Sequence, residues 1–250
     1  MKVKPTYIKI LFLLSCLISF SILGAGCSSS EASKKEEKKI EEKFLEIIPV
    51  KNLDELEREY ISSAKIKSIE KIQFDYDKKE KLSNRKKLSK IVYDDIGFQK
   101  ETIIYGKDEN INFRYVYNYI KGRRVKTLRY NDKGVNDKIY TYDYNDRGNK
   151  IRSECLSSEG ALEKYYKYEY DDEGQLIKDI WFNKNDEKEY LITYEYDKKG
   201  RKESSFSYDE EANLVAKYLY RYDSENNIVE EVRYDADNKP SGIIQYVYHH

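Results

Sequence analysis

The chain has 250 residues, which after the leader leaves roughly one ordinary domain. Its 46 basic and 46 acidic residues cancel, so no net field favours a nucleic acid or an anionic membrane face. Tyrosine supplies the main apolar material, with 26 residues against 8 phenylalanines, one tryptophan and one methionine, where an ordinary core relies on Leu, Ile and Val.

The first element is an export signal. Lys2, Lys4 and Lys9 precede an apolar run from Ile10 to Leu23, which is shorter than the ~20 residues that cross a bilayer as a helix. The run closes on Leu23-Gly24-Ala25-Gly26-Cys27, followed by Ser28-Ser29-Ser30. This segment resembles the lipobox of bacterial lipoproteins, in which small residues admit the peptidase and the cysteine thiol accepts a diacylglycerol. The resemblance implies that residues 1–26 are a signal helix removed on maturation, that Cys27 is lipidated, and that the protein sits in the cell envelope. Ser28 after the cysteine points to the outer membrane or cell surface. Leu13-Leu14-Ser15-Cys16 has a similar form, but cleavage there would leave the apolar stretch Leu17 to Leu23 at the mature N-terminus. Acyl chains contribute about 0.8 kcal/mol per buried methylene, so an acylated Cys27 would hold the chain on a membrane without a transmembrane helix.

Residues 27–50 read as a polar tether, of which Ser28 to Lys43 is rich in Ser, Lys and Glu with almost nothing to bury and is a solvated tether or a fraying helix. Within residues 51–68, Asn52-Leu53-Asp54-Glu55 has the form of a helix N-cap, and Leu53, Leu56, Tyr60 and Ile61 follow at helical spacing. A short amphipathic helix near 53–64, covering one end of a sheet, is expected. Ile72, Phe74 and Tyr76 then alternate with polar residues and predict the first strand of a repeat domain spanning 69–250.

That domain is periodic. Tyr142-Asp143-Tyr144-Asn145-Asp146-Arg147-Gly148 recurs as Tyr168-Glu169-Tyr170-Asp171-Asp172-Glu173-Gly174, as Tyr194-Glu195-Tyr196-Asp197-Lys198-Lys199-Gly200 and as Tyr220-Arg221-Tyr222-Asp223-Ser224-Glu225-Asn226, each 26 residues on. Tyr246-Val247-Tyr248 keeps this register, and Tyr117-Asn118-Tyr119 precedes it one residue out of step. A second turn signal, at Tyr130-Asn131-Asp132-Lys133-Gly134 and its successors, recurs with the same period. Asp or Asn caps the start of such a turn through its side chain, and Gly148, Gly174 and Gly200 accept the positive φ at its fourth position. Between turns the tyrosines stand at i, i+2 and i+4, one face aromatic and the other charged, and the even spacing between turns preserves a common aromatic face. The lone body cysteine, Cys155, reads as a small strand residue, and no internal disulfide can form.

This pattern resembles the YD repeats of the RHS family over residues 93–250, whose Tyr-Asp-x-x-Gly motif builds hairpins that coil into a sheet-walled shell. The period is longer here, and the long array and C-terminal toxin region of the large members are missing. The expected fold is mainly β: a curled antiparallel meander of about a dozen strands, open or barrel-like, with Lys and Glu guarding its edges.

Catalytic chemistry is not signalled. His249 and His250 are the last two residues, no Gly-rich phosphate loop, Gly-x-Ser-x-Gly elbow or Cys/His metal spacing occurs, and Asp235, Asp237 and Asn238 lack the form of a calcium loop. No enzyme, metal or cofactor is expected. The expected role is a membrane-anchored envelope scaffold that contacts a glycan or protein through Tyr142, Tyr144, Tyr168, Tyr170, Tyr194, Tyr196, Tyr220 and Tyr222, since rings with a polar tip suit both partners. The rival reading is a structural or immunity-type lipoprotein with no glycan ligand, its tyrosines serving as the core of the sheet.

Overall fold

A computed structural model of the chain describes residues 53–77 and 81–250. The leader, Cys27 and the tether lie outside the described residues. One helix, α1 (Leu53–Ser63), leads into β1 (Ser68–Tyr76), β2 (Leu82–Tyr93), β3 (Gln99–Tyr105), β4 (Ile111–Ile120), β5 (Arg123–Asn131), β6 (Asn136–Tyr144), β7 (Lys150–Ser157), β8 (Leu162–Tyr170), β9 (Leu176–Asn183), β10 (Lys188–Tyr196), β11 (Lys202–Tyr208), β12 (Leu214–Tyr222), β13 (Ile228–Asp235) and β14 (Pro240–His249). Every strand pairs antiparallel with its chain neighbours, and β1 also pairs with β14, from Ser68↔His249 to Asp75↔Gly242. The meander is therefore a closed up-and-down barrel of fourteen strands among the described residues. Closure leaves no sheet edge for the Lys and Glu residues to guard.

Turn chemistry explains the punctuation. In the β6–β7 turn, Gly148 N–H donates to Asn145 O at 2.9 Å and Asn145 N–H to Asn149 O at 2.9 Å, while Asn145 Oδ1 accepts from Asn149 N–H. Gly148 has φ +80, which makes this a type I turn closed by a bulge residue in the left-handed region. Gly174 and Gly200 repeat it with φ +84 and +77. The bulge shifts register by one residue, so that Asp143 faces Arg152 but Tyr144 faces Lys150. The β4–β5 connection differs: Lys121 and Gly122 both have positive φ, 50 and 80, and Ile120 pairs directly with Arg123. This two-residue hairpin is one residue shorter, which accounts for Tyr117 and Tyr119 falling out of step with the later repeats.

Ala212 occupies the same left-handed corner with φ +66. Its Cβ costs about 1–2 kcal/mol there, partly offset by the backbone entropy that glycine would lose. Ala212→Gly should stabilise the fold by about 0.5–1 kcal/mol, a rise of roughly 2 °C in Tm for a domain of this size. A thermal scan showing no rise, or a fall, would contradict that account.

The faces are settled by pairing. Asp143, Glu169, Glu195, Arg221 and Val247, which alternate with the ladder tyrosines, are exposed, whereas Thr127, Ser153 and Ser205, opposite Tyr140, Tyr166 and Tyr218, are buried. The tyrosine face lines the inside. β1 departs from the simple alternation: Lys71 pairs with Tyr246 and therefore faces inward, so Ile72 and Phe74, the residues that announce the strand, lie on the outer face. The outer wall is charged in mid-strand, with Arg114, Lys126 and Lys167 exposed and ion pairs joining Glu169 to Lys178 and Arg221 to Glu230 at 2.6 Å. A lipid-facing barrel needs an apolar band, and each Lys or Arg at mid-bilayer would cost about 2–4 kcal/mol. Where these charges stand, the wall suits water and not lipid.

Helix α1 covers one mouth. The cluster Ile61, Ile66, Ile69 and Tyr93 joins it to the barrel, with Ile91, Tyr246 and Tyr248 packed against it. Arg58 lies over the Phe98 ring at 4.6 Å, Ser62 Oγ donates to Asp95 O at 3.1 Å, and Lys67 Nζ reaches Asp95 at 2.5 Å. The Tyr60 hydroxyl bonds Asn227 Oδ1 in the β12–β13 turn, so the helix bridges from the β2–β3 turn to that turn.

Candidate functional site

The inner wall is organised in rungs that follow the repeat. The hydroxyls of Tyr117, Tyr142, Tyr168 and Tyr220 bond Thr102, Thr127, Ser153 and Ser205 at 2.8, 2.7, 2.8 and 3.0 Å, each fifteen residues earlier on the preceding strand. Tyr246 meets Glu231 at the same offset. Asp179 stands at that offset from Tyr194. One rung nearer α1, Tyr119, Tyr144, Tyr170, Tyr196, Tyr222 and Tyr248 donate to the backbone oxygens of Gln99, Arg124, Lys150, Leu176, Lys202 and Ile228, twenty residues back, at 2.7–3.1 Å. Each of these hydrogen-bonded rings thus ties two neighbouring strands together and has its polar tip satisfied, the condition for burying a tyrosine.

The eight ladder tyrosines singled out by the sequence all belong to these rungs. The repeated aromatic surface is the lining of the barrel and not its outside. Gly148, Gly174 and Gly200 form turns at the mouth that α1 covers. Although they point inward, Tyr142, Tyr168, Tyr194 and Tyr220 stay partly exposed, so the interior is not packed solid, as is general when a barrel exceeds about eight strands.

Charged side chains interrupt the aromatic lining. Arg124, Lys150 and Lys202 share one repeat position, Lys150 one 26-residue period and Lys202 three periods after Arg124, and lie over the rings of Tyr117, Tyr168 and Tyr194 at 4.1, 4.1 and 4.5 Å. Burial pulls the Lys202 ammonium below its usual range, an effect that Glu231 counters. Lys71 Nζ donates to Tyr246 Oη at 2.7 Å and lies 3.9 Å from Glu231. Asp179 is the outlier: burial pushes its carboxyl up to about 6, and the attraction of Lys150, the nearby Trp181 indole and Lys202 offset only part of that. Neither Asp179 Oδ1 nor Trp181 Nε1 has a hydrogen-bond partner. Cys155 is buried between the strands, its thiol pushed up by desolvation.

Beneath α1 this wall opens into a cavity of about 230 Å³ lined by Glu57 and Arg58 of the helix and by Tyr93, Phe98, Gln99, Tyr119, Arg124, Tyr142, Tyr144 and Lys150 of the barrel. Arg124 Nη2 donates to Gln99 Oε1 at 2.6 Å and Tyr119 Oη at 3.3 Å. Tyrosine rungs, a basic column and a helical cover therefore meet at one place.

Sequence reasoning found the tyrosines and missed these charges. Their signal is columnar: stacking the 26-residue periods places Arg124, Lys150, Leu176, Lys202 and Ile228 in one column and Thr127, Ser153, Asp179, Ser205 and Glu231 in another. Asp235 serves its turn, its Oδ1 accepting from Lys239 N–H at 2.9 Å.

Fold and site define the class: an up-and-down β-barrel with a polar, tyrosine-lined interior, covered by a helix at one mouth. No protein-family model matches the chain, and no curated protein does. Among solved structures it is similar to a porin-like protein from Bacteroides uniformis, at 10% identity and TM-score 0.41, over 74% of this chain and 98% of that one. A porin-like protein from Bacteroides vulgatus gives 14% identity and TM-score 0.40 over the same shares. A domain from Vibrio parahaemolyticus, whose description is of an outer membrane lipoprotein-sorting protein, gives 10% identity and TM-score 0.29 over 78% of this chain and 92% of that one. At these scores the likenesses carry nothing over to this chain.

Proposed function

We propose that the protein is a cell-envelope lipoprotein, held at a membrane by an acylated Cys27, whose barrel is a non-enzymatic receptacle for a small solute. The observation that carries this reading is the cavity under α1, where tyrosine rungs and basic side chains converge behind a helical cover. At about 230 Å³ it falls below the roughly 300–1,000 Å³ of pockets that enclose drug-sized ligands, so it suits a single sugar-sized unit or one group of a longer chain. The charged outer wall supports a barrel that stands in water beside the membrane.

Two measurements test the reading. Metabolic palmitate labelling should mark the wild type and be lost in Cys27→Ala; retained label would remove the anchor. A ligand in hundredfold excess over its Kd stabilises a protein by about 2.7 kcal/mol. A thermal-shift screen of neutral and acidic sugars against the mature protein should therefore find a solute that raises Tm by several degrees, and a flat screen would remove the receptacle.

A further inference from the structure

We infer that the cavity under α1 recognises an anionic group, a carboxylate or phosphate carried on a small solute; this rests on the receptacle reading above. Three of the lining side chains, Arg58, Arg124 and Lys150, carry positive charge against one carboxylate in the lining, Glu57, while Lys150 is also attracted by Asp179 deeper in the barrel. The imbalance is local. Elsewhere the paired cations of this neutral chain meet acids, as Lys71 does with Glu231 and Arg129 with Asp137.

Arg124 instead spends its hydrogen bonds on neutral oxygens, those of Gln99 and Tyr119, and its flat face on Tyr117 at 4.1 Å. Arg58 donates to the Gly122 carbonyl at 3.5 Å and rests on Phe98. A guanidinium offers five N–H groups in a fixed fork that matches carboxylate or phosphate oxygens. Held by ring faces and neutral oxygens, Arg124 and Arg58 are oriented without being neutralised, and both line the same half-enclosed space. Low-dielectric walls of one charge sign concentrate a counter-ion. A solute bearing only hydroxyls would put no anion against the guanidinium forks of Arg58 and Arg124.

The test is isothermal titration of the full mature chain in detergent with galacturonate, inorganic phosphate and, as the neutral counterpart, galactose. Expected is binding of an acidic probe at least tenfold tighter than galactose, weakening as salt rises. Binding by galacturonate alone assigns a carboxylate on a sugar; binding by phosphate alone assigns a phosphate. Arg124→Gln should weaken the acidic probe at least tenfold and Arg124→Lys should restore part of that loss. Should Arg124→Gln fail to fold, Arg58→Gln, a change on the helix, decides by the same loss. Galactose binding as tightly as the acids, or both glutamine variants leaving affinity unchanged, would overturn the anion assignment and leave the receptacle standing. No binding by any of the three probes up to millimolar concentration would overturn both.

Discussion

Asp179→Asn should stabilise the protein at pH 7.5 by about 2 kcal/mol and flatten its stability profile between pH 4 and 7. Other repeats put a hydroxyl at this place, as Thr127, Ser153 and Ser205 do, and a hydroxyl is satisfied by one tyrosine. Asp179 has an oxygen with no hydrogen-bond partner, and burial raises its carboxyl to about 6. Because the folded value lies above that of an unfolded aspartate, about 3.9, the folded state binds more protons between those two values. The native protein should therefore gain stability as pH falls through 6, reaching the full gain near 4, and should carry the penalty of a buried carboxylate above 6. One pKa unit corresponds to about 1.4 kcal/mol, so a shift of two units sets a scale of about 2–3 kcal/mol. Urea midpoints at half-unit pH steps measure it, and parallel slopes for wild type and Asp179→Asn between pH 4.5 and 7 would sink the assignment.

Gly97→Ala should be the most damaging single-methyl change at any turn. Gly97 has φ +86, and a Cβ there would stand 2.1 Å from the backbone oxygen of Arg58 and 3.0 Å from its carbonyl carbon. Backbone of a docked helix cannot step aside as the end of a flexible side chain can. Gly134 supplies the control, with φ +74 and nothing within 4 Å of the added methyl. Gly134→Ala should cost about 1–2 kcal/mol of left-handed strain, whereas Gly97→Ala should cost about 3 kcal/mol more than that, or release α1 from the mouth. Protease cutting between α1 and β1, read beside the thermal midpoint, separates the two outcomes. Equal losses for the two variants would show that the helix does not press on this turn.

The repeats were legible in the sequence because turn chemistry and two-residue alternation are local. Gly148, Gly174 and Gly200 take their positive φ where the turn signal puts it, and the tyrosines share one face because the periods are even. Closure was not legible: it depends on β1 meeting β14, and nothing local marks Ser68 as the partner of His249. The alternation of Ile72 and Phe74 even points the wrong way, since in β1 the apolar residues lie outside while Lys71 enters the lining. The basic column escaped for another reason. Arg124, Lys150 and Lys202 look like the ordinary charged residues that flank any turn, and the bulge beside each turn is what brings them level with the tyrosines, as when Tyr144 pairs with Lys150 and Tyr196 with Lys202.

The β1–β14 seam also sets an order of events. Residues that must pair there lie as far apart in the chain as Ser68 and His249, so loop closure at the seam is the most expensive contact in the domain. The thirteen other pairings join consecutive strands and can zip from hairpin to hairpin, but the first strand has to wait with one side bare until the last has formed. Refolding should show a fast phase for hairpins and a slow one for the seam. A chain cut short before Pro240 would keep two unprotected strand margins, and its fate would be self-association.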